Sequence, residues 1–198
     1  MKRSTAAKIP NILTYTRLAL VPLFVYLMID PTETMLLWAA GVYIVAAITD
    51  YLDGKIARAY DVVSDTGKLL DPLADKILVM SALIMLVAQR TTFDGGPWVP
   101  GWLVVIILAR EMWVTGVRAF AADRGVVLAA DTVGKWKSGM QMVGVLCLIL
   151  HNPLTLGSKS FDLHLIGLNL LITSVALALW SGIDYTYSVL CDNEEIES

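Results

Sequence analysis

Between positions 50 and 75 the chain sets Asp50, Asp53, Gly54, Arg58, Gly67, Asp71 and Asp75 at fixed intervals, with strongly apolar segments on either side. Asp50 and Asp53 are three residues apart and Asp71 and Asp75 four apart, spacings that put each pair on one face of a helix. Brought together, the two pairs make an oxygen-only cage of up to four carboxylates, which repels itself unless strong positive charge sits inside it. Oxygen donors without histidine or cysteine suit a hard cation, Mg²⁺ with Mn²⁺ as a substitute, and such a cage suits two ions better than one. The plainer alternative is that these carboxylates are interfacial or pair with Lys55, Arg58, Lys68 and Lys76. A carboxylate inside a membrane, however, costs about 2.5–3.5 kcal/mol on insertion scales, so a clustered set is tolerated where cation binding or chemistry compensates.

The membrane itself follows from composition. Of 198 residues, 57% are hydrophobic and 17% charged, with a mean hydropathy of +0.66, which points to a polytopic membrane protein. The net charge of −3 does not set orientation, because orientation depends on where Lys and Arg fall. Cys147 and Cys191 form no ligand or disulfide pattern. His151 and His164 flank a short polar loop away from any carboxylate cluster and read as interfacial. No P-loop, dinucleotide fingerprint or nucleophile-elbow serine is present, and no nucleic-acid partner is expected.

The apolar runs predict an all-α bundle of six transmembrane helices, forming one membrane-embedded catalytic domain over residues 1–198. Residues 1–9 are a basic cytoplasmic lead, and Pro10 marks the start of a first helix over residues 12–29. Arg17 inside that run, with no small-residue cleavage site after it, argues for a retained helix over a signal peptide. Residues 35–49 form fifteen uncharged positions, about 22 Å of helix, short of a ~30 Å hydrocarbon core. Asp50 therefore falls inside the membrane edge, with the helix continuing toward Arg58. Thirteen uncharged residues at 77–89 place Asp75 at a similar depth on the third helix. Further helices are expected at residues 98–118, 133–150 and 163–185, with a polar segment at 119–132, a loop at 151–160 and a fraying acidic tail at 191–198.

Six helices put both termini on one side, and thirteen of the fifteen Lys and Arg residues, all but Arg90 and Lys159, face it. That side is the cytoplasm of a cell (inner or plasma) membrane by the positive-inside rule. Trp180, Tyr185 and Tyr187 suit the cytoplasmic aromatic belt, Trp98 and Trp102 the opposite one. Arg110, Arg118, Lys135 and Lys137 cluster at the cytoplasmic ends of the fourth and fifth helices. Arg110 and Arg118, eight residues apart, are offset by roughly 80° on a helix and are able to face one cavity. The plainer alternative is that these four residues pair with Glu111 or Asp131, or anchor at lipid headgroups; as a set beside a metal cage they suit a phosphate-bearing acceptor.

The pattern D-x2-D-G-x2-A-R-x8-G-x3-D-x3-D, running from Asp50 to Asp75, resembles the signature of the CDP-alcohol phosphatidyltransferases. Residues 9–17 (IPNILTYTR), 70–76 (LDPLADK), 109–118 (AREMWVTGVR) and 134–138 (GKWKS) are similar to the branch of that family that makes phosphatidylglycerophosphate. The resemblance implies a two-metal membrane transferase taking CDP-diacylglycerol and glycerol 3-phosphate, working as a homodimer in the bilayer. It implies Asp50, Asp53 and Asp71 as metal ligands, Asp71 bridging, and Asp75 as ligand to the second metal and general base. Gly54 and Arg58 would contact the CDP part of the donor, with Ser64 and Gly67 beside them. Asn11, Thr14 and Arg17 would close the site around the donor lipid, and Arg110, Arg118, Lys135 and Lys137 would hold glycerol 3-phosphate. Two other readings stand beside it: another acceptor (inositol phosphate or phosphatidylglycerol), and a divalent-cation transporter. Transporter carboxylates usually sit at the midplane between inverted repeats, and no repeat is visible here.

Overall fold

The structure is a computed structural model that describes residues 8–60, 65–90, 95–124, 132–152, 154–156 and 159–197. Within these, the side chains at 8–13, 51–60, 65–73, 75, 132–135, 154–159 and 188–197 lie outside the description. Among the described residues the fold is six helices and one short hairpin. The helices are α1 (Lys8–Ile29), α2 (Glu33–Tyr60), α3 (Asp65–Ala88), α4 (Gly101–Asp123), α5 (Thr132–Leu150) and α6 (Leu163–Glu197).

Three differences from the expected boundaries have simple causes. Helix α4 runs five residues past Arg118 to Asp123, since nothing in AFAAD breaks a helix. Residues 151–160, expected as a loop, contain β1 (Leu154–Leu156), which pairs antiparallel with β2 (Lys159–Phe161) and so satisfies the backbone groups of both. Helix α6 continues through the tail, expected to fray, as far as Glu197; no glycine or proline follows Gly182 to stop it.

The core is built from one stripe of each helix. On α2 that stripe is Leu36, Ala39, Ala40, Tyr43 and Ala46, at helical spacing, and it meets Phe24 and Met28 of α1 and Leu83 and Leu86 of α3. The far face of α2 is also apolar and lies exposed, at Leu37, Trp38, Ile44, Val45 and Ile48. A helix apolar all round suits a lipid surround. Among the described residues two helices are long and apolar enough to cross a membrane, α2 through Glu33–Asp50 and α6 through Leu163–Tyr187.

Helix α6 packs most extensively on α5, through two glycines. A Cβ on Gly144 would stand 3.1 Å from the Gly167 carbonyl oxygen, and one on Gly167 would stand 2.8 Å from the Gly144 carbonyl and 2.7 Å from Leu148 Cγ. The helices approach at backbone distance there, which any side chain prevents. Gly167→Ala is expected to force the helices apart and destabilise the bundle by about 1–3 kcal/mol, read as a lower thermal unfolding midpoint in detergent.

The end of the bundle nearest this contact is also tied by Gln89, whose Nε2 donates to the Met28 carbonyl at 2.6 Å, and by a ring stack. His151 lies on Trp98 with centroids 3.9 Å apart and planes at 4°, and its Nδ1 is 3.1 Å from Nδ1 of His164. Burial, then the nearby His164, hold the His151 pKa below its ordinary value of 6.5, against a smaller opposing pull from Asp162. The unfolded chain therefore binds this proton more readily than the folded one. His151 contributes fully to stability above the ordinary histidine range, and its contribution is lost as pH falls through the lowered value. Unfolding midpoints measured from neutral to mildly acidic pH are expected to drop on acidification, and to drop less in His151→Gln.

Candidate active site

Helices α1, α2 and α3 position the aspartate motif. Only residues 61–64 separate the end of α2 from the start of α3 in the chain. Positions 50, 53, 54 and 58 lie on the last third of α2, and positions 67, 71 and 75 on the first half of α3. The spacing thus acts on real helices, with positions 50 and 53 about 4.5 Å apart along one axis and 71 and 75 about 6 Å along the other. Ala74, between Asp71 and Asp75, is 1% exposed, which packs that turn of α3 against its neighbours. The side chains of Asp53, Arg58, Asp71 and Asp75, and the surroundings of Gly54 and Gly67, lie outside the described set; Ser64 lies outside it entirely.

Asp50 is described, and its surroundings are informative. Arg17 of α1 is wholly buried, and its Nη1 lies 2.7 Å from Asp50 Oδ1, while the Asp50 side chain stays one-third exposed. Thr14, one turn earlier on α1, is also buried, and Asn11, a further turn back, lies outside the described side chains. Positions 11, 14 and 17 share one face of α1, and at Thr14 and Arg17 that face is turned into the bundle. An ion pair between α1 and the first aspartate of the motif is something spacing alone does not reveal.

The basic residues divide into two groups. Arg110 and Lys137 converge on one carboxylate, Glu111: Arg110 Nη1 lies 3.1 Å from Glu111 Oε1, and Lys137 Nζ bonds the same oxygen. Arg110 also donates from Nε to the Ala178 carbonyl at 2.8 Å and from Nη2 to Ser181 Oγ at 2.6 Å, which fastens α4 to α6. Lys137 is buried, an unusual setting for lysine that its pairing with Glu111 accounts for. Arg118 is exposed and turned elsewhere, with Nη2 donating to Tyr185 Oη at 3.1 Å and the guanidinium 4.9 Å over the Tyr185 ring. The Lys135 side chain lies outside the described set. The structure therefore brings Arg110 and Lys137 together and separates Arg118 from them.

Lys76 was legible in sequence only as a partner for neighbouring carboxylates. Its Nζ in fact donates across to Thr115 Oγ1 on α4, and Thr115 Oγ1 donates to the Glu111 carbonyl at 2.7 Å. Lys76, Glu111, Lys137, Ser138 and Gln141 line one small cavity between α3, α4 and α5. The sequence signal for this was present but ambiguous: Lys76 directly follows Asp75, and Glu111 directly follows Arg110.

Taken together, one end of the bundle holds a carboxylate-bearing pair of helices beside a partly buried cluster of cations around one glutamate. Residues 7–180 match the family model described as CDP-alcohol phosphatidyltransferase. A CDP-diacylglycerol–glycerol-3-phosphate 3-phosphatidyltransferase of Bacillus subtilis (strain 168) is 38% identical over 90% of this chain and 89% of its own length. The protein of the same description from Rickettsia bellii is 36% identical over 92% and 94%. A cardiolipin synthase (CMP-forming) of Oryza sativa subsp. japonica is 33% identical over 89% of this chain but 56% of its own length.

Proposed function

Because the chain belongs to the CDP-alcohol phosphatidyltransferase family, we propose that it transfers the phosphatidyl group of CDP-diacylglycerol to sn-glycerol 3-phosphate, giving phosphatidylglycerophosphate and CMP. The observation that carries this reading is likeness along nearly the whole length to bacterial proteins of that description. The cations around Glu111 favour the same acceptor, since a phosphomonoester needs positive charge where a neutral alcohol does not.

The donor set fits hard divalent cations: it is carboxylate oxygen throughout, carried at helical spacing on two consecutive helices, with Asp50 partly exposed. Asp50, Asp53, Asp71 and Asp75 would hold two Mg²⁺ ions, whose chemistry when bound is to neutralise charge on the pyrophosphate and the departing CMP. Arg58 adds a cation for the pyrophosphate, and Gly54 lets the donor approach the α2 backbone closely. Gly67, Ser64, Asn11 and Thr14 complete the donor side, while Arg17 holds Asp50 in place. On the acceptor side Arg110, Lys135 and Lys137 would supply positive charge, whereas Arg118, turned to Tyr185, drops out of that set. Asp75 takes the proton from the 1-hydroxyl of glycerol 3-phosphate. That oxygen forms a bond to the phosphorus carrying the diacylglycerol, and the bond from that phosphorus to CMP breaks.

The same reading places all six helices across a cell membrane, with the site and both termini on the cytoplasmic side and the protein as a homodimer. Its support is the distribution of Lys and Arg together with the apolar exterior, where Trp38, Met112, Trp136, Trp180 and Ile183 are between 67% and 74% exposed. CMP release from CDP-diacylglycerol by purified protein in mixed micelles is the test. Glycerol 3-phosphate is expected to support release, and inositol phosphate and phosphatidylglycerol are not. Release with phosphatidylglycerol alone would transfer the reading to a cardiolipin synthase.

A further inference from the structure

His151, His164 and Trp98 gather where α5 ends and α6 begins, away from the aspartate motif. The backbone N–H of Trp98 donates to the Gln89 carbonyl at 3.1 Å, just past the end of α3. Gln89 is fourteen residues beyond Asp75, so about 21 Å along the helix axis separates this cluster from the motif. His151 holds a φ of +48°, a left-handed conformation that histidine adopts seldom and at a cost in backbone energy. From that backbone its ring lies flat on the buried Trp98 and meets His164 edge-on, with the two Nδ1 atoms 3.1 Å apart.

Two imidazole nitrogens at that distance admit two occupants. One is a proton, carried by one ring and accepted by the other. The other is a metal ion: nitrogens each ~2.0–2.1 Å from one ion at a tetrahedral angle stand about 3.3–3.4 Å apart, a small ring rotation from the spacing found here. A hydrogen bond alone requires no strained backbone, whereas a ring fixed by its φ and by stacking is what a ligand needs to keep its nitrogen aimed. We propose that His151 and His164 form a metal site, separate from the aspartates, that takes a borderline divalent ion such as Zn²⁺. Imidazole suits such ions, while the oxygen-only motif suits Mg²⁺ or Mn²⁺. On binding, the Nδ1 proton shared by the pair moves to Nε2 of its own ring, and both Nδ1 lone pairs go to the ion.

The surroundings fit a cation. Burial, then His164, hold the His151 pKa below the ordinary histidine range, which keeps the ring in the neutral form that a metal requires. Asp162, two residues before His164, brings compensating negative charge, and its Oδ1 accepts from the Leu165 N–H at 3.1 Å, which fixes it at the start of α6. Among the described residues no third His, Cys, Asp or Glu converges with the pair, so water completes the coordination. The ion ties the end of α5 to the first turn of α6 across the β1–β2 hairpin and, through the ring stack, to Trp98 ahead of α4.

The test is Zn²⁺ binding by purified full-length protein in nanodiscs with saturating Mg²⁺, which competes for the carboxylates, read by equilibrium titration and by thermal unfolding. The wild type is expected to bind one Zn²⁺ per chain and to unfold at a higher temperature with it. His151→Asn, which tolerates the left-handed backbone, and His164→Gln are each expected to weaken Zn²⁺ roughly tenfold or more and to lose that rise. Mg²⁺-dependent CMP release is expected to persist in both, since neither residue belongs to the proposed catalytic site. Wild-type Zn²⁺ affinity in both variants overturns the proposal, as does a wild type that binds no Zn²⁺ at micromolar free ion. Zn²⁺ binding that is lost in Asp75→Asn and kept in the histidine variants assigns the ion to the aspartates and overturns it too.

Discussion

Asp75→Asn is expected to leave donor binding in place while slowing CMP release by about 10²–10⁴-fold, the contribution of a general base. Asparagine keeps the size of the side chain and one oxygen, so the packed turn of α3 around Ala74 is preserved and the change falls on charge and basicity. Two losses combine, since the amide is a poor metal ligand and accepts no proton from the acceptor hydroxyl. They separate by titration: raising Mg²⁺ should recover the ligand part and leave the deficit of the base. Chelation of divalent ions should abolish wild-type release, and added Mg²⁺ or Mn²⁺ should restore it. Turnover near wild type in Asp75→Asn, or in chelator, would remove the two-metal scheme.

Arg17→Ala is expected to unfold the protein more readily as well as to inactivate it. The guanidinium is wholly enclosed and meets Asp50 at 2.7 Å, so its removal leaves a cavity in α1 and a carboxylate without that partner. Breaking a buried pair costs about 3–5 kcal/mol, and the lower end applies because Asp50 is one-third exposed. A residue that only touched the donor lipid would raise the donor KM and leave the unfolding midpoint alone. The midpoint is therefore the decisive measurement, and an unchanged value would return Arg17 to donor contact. Arg17→Lys, which keeps the charge but loses the planar fork, should fall between the two.

The helices were largely legible in sequence because apolar runs broken by Pro, Gly and clustered polar residues encode them locally. The continuation of α2 past Asp50 toward Arg58 was expected from the short uncharged run before it, and the helix ends at Tyr60. The small hairpin and the extension of α6 were not legible, because three-residue strands carry almost no periodicity and an acidic tail reads as solvated. For the site, the aspartate spacing sits on helices as expected, whereas side-chain partners across the bundle were hidden. Arg17 and Asp50 are 33 positions apart, and nothing local in either segment names the other. Arg110 and Arg118 share a helix, but Ser181 and Tyr185, far along the chain, decide where each one turns.

The glycine contact between α5 and α6 has a bearing on how the molecule comes apart. In lipid, apolar burial contributes little to holding one helix against another, because acyl chains solvate leucine as well as leucine does. Backbone-to-backbone approach at Gly144 and Gly167, with room for weak Cα–H to carbonyl bonds, depends on neither water nor bilayer thickness. The segment from α5 through the hairpin to α6 is thus a self-contained helical hairpin. When sodium dodecyl sulfate dismantles the bundle, this hairpin should be the last pair of helices to separate, and during membrane assembly one of the first to form.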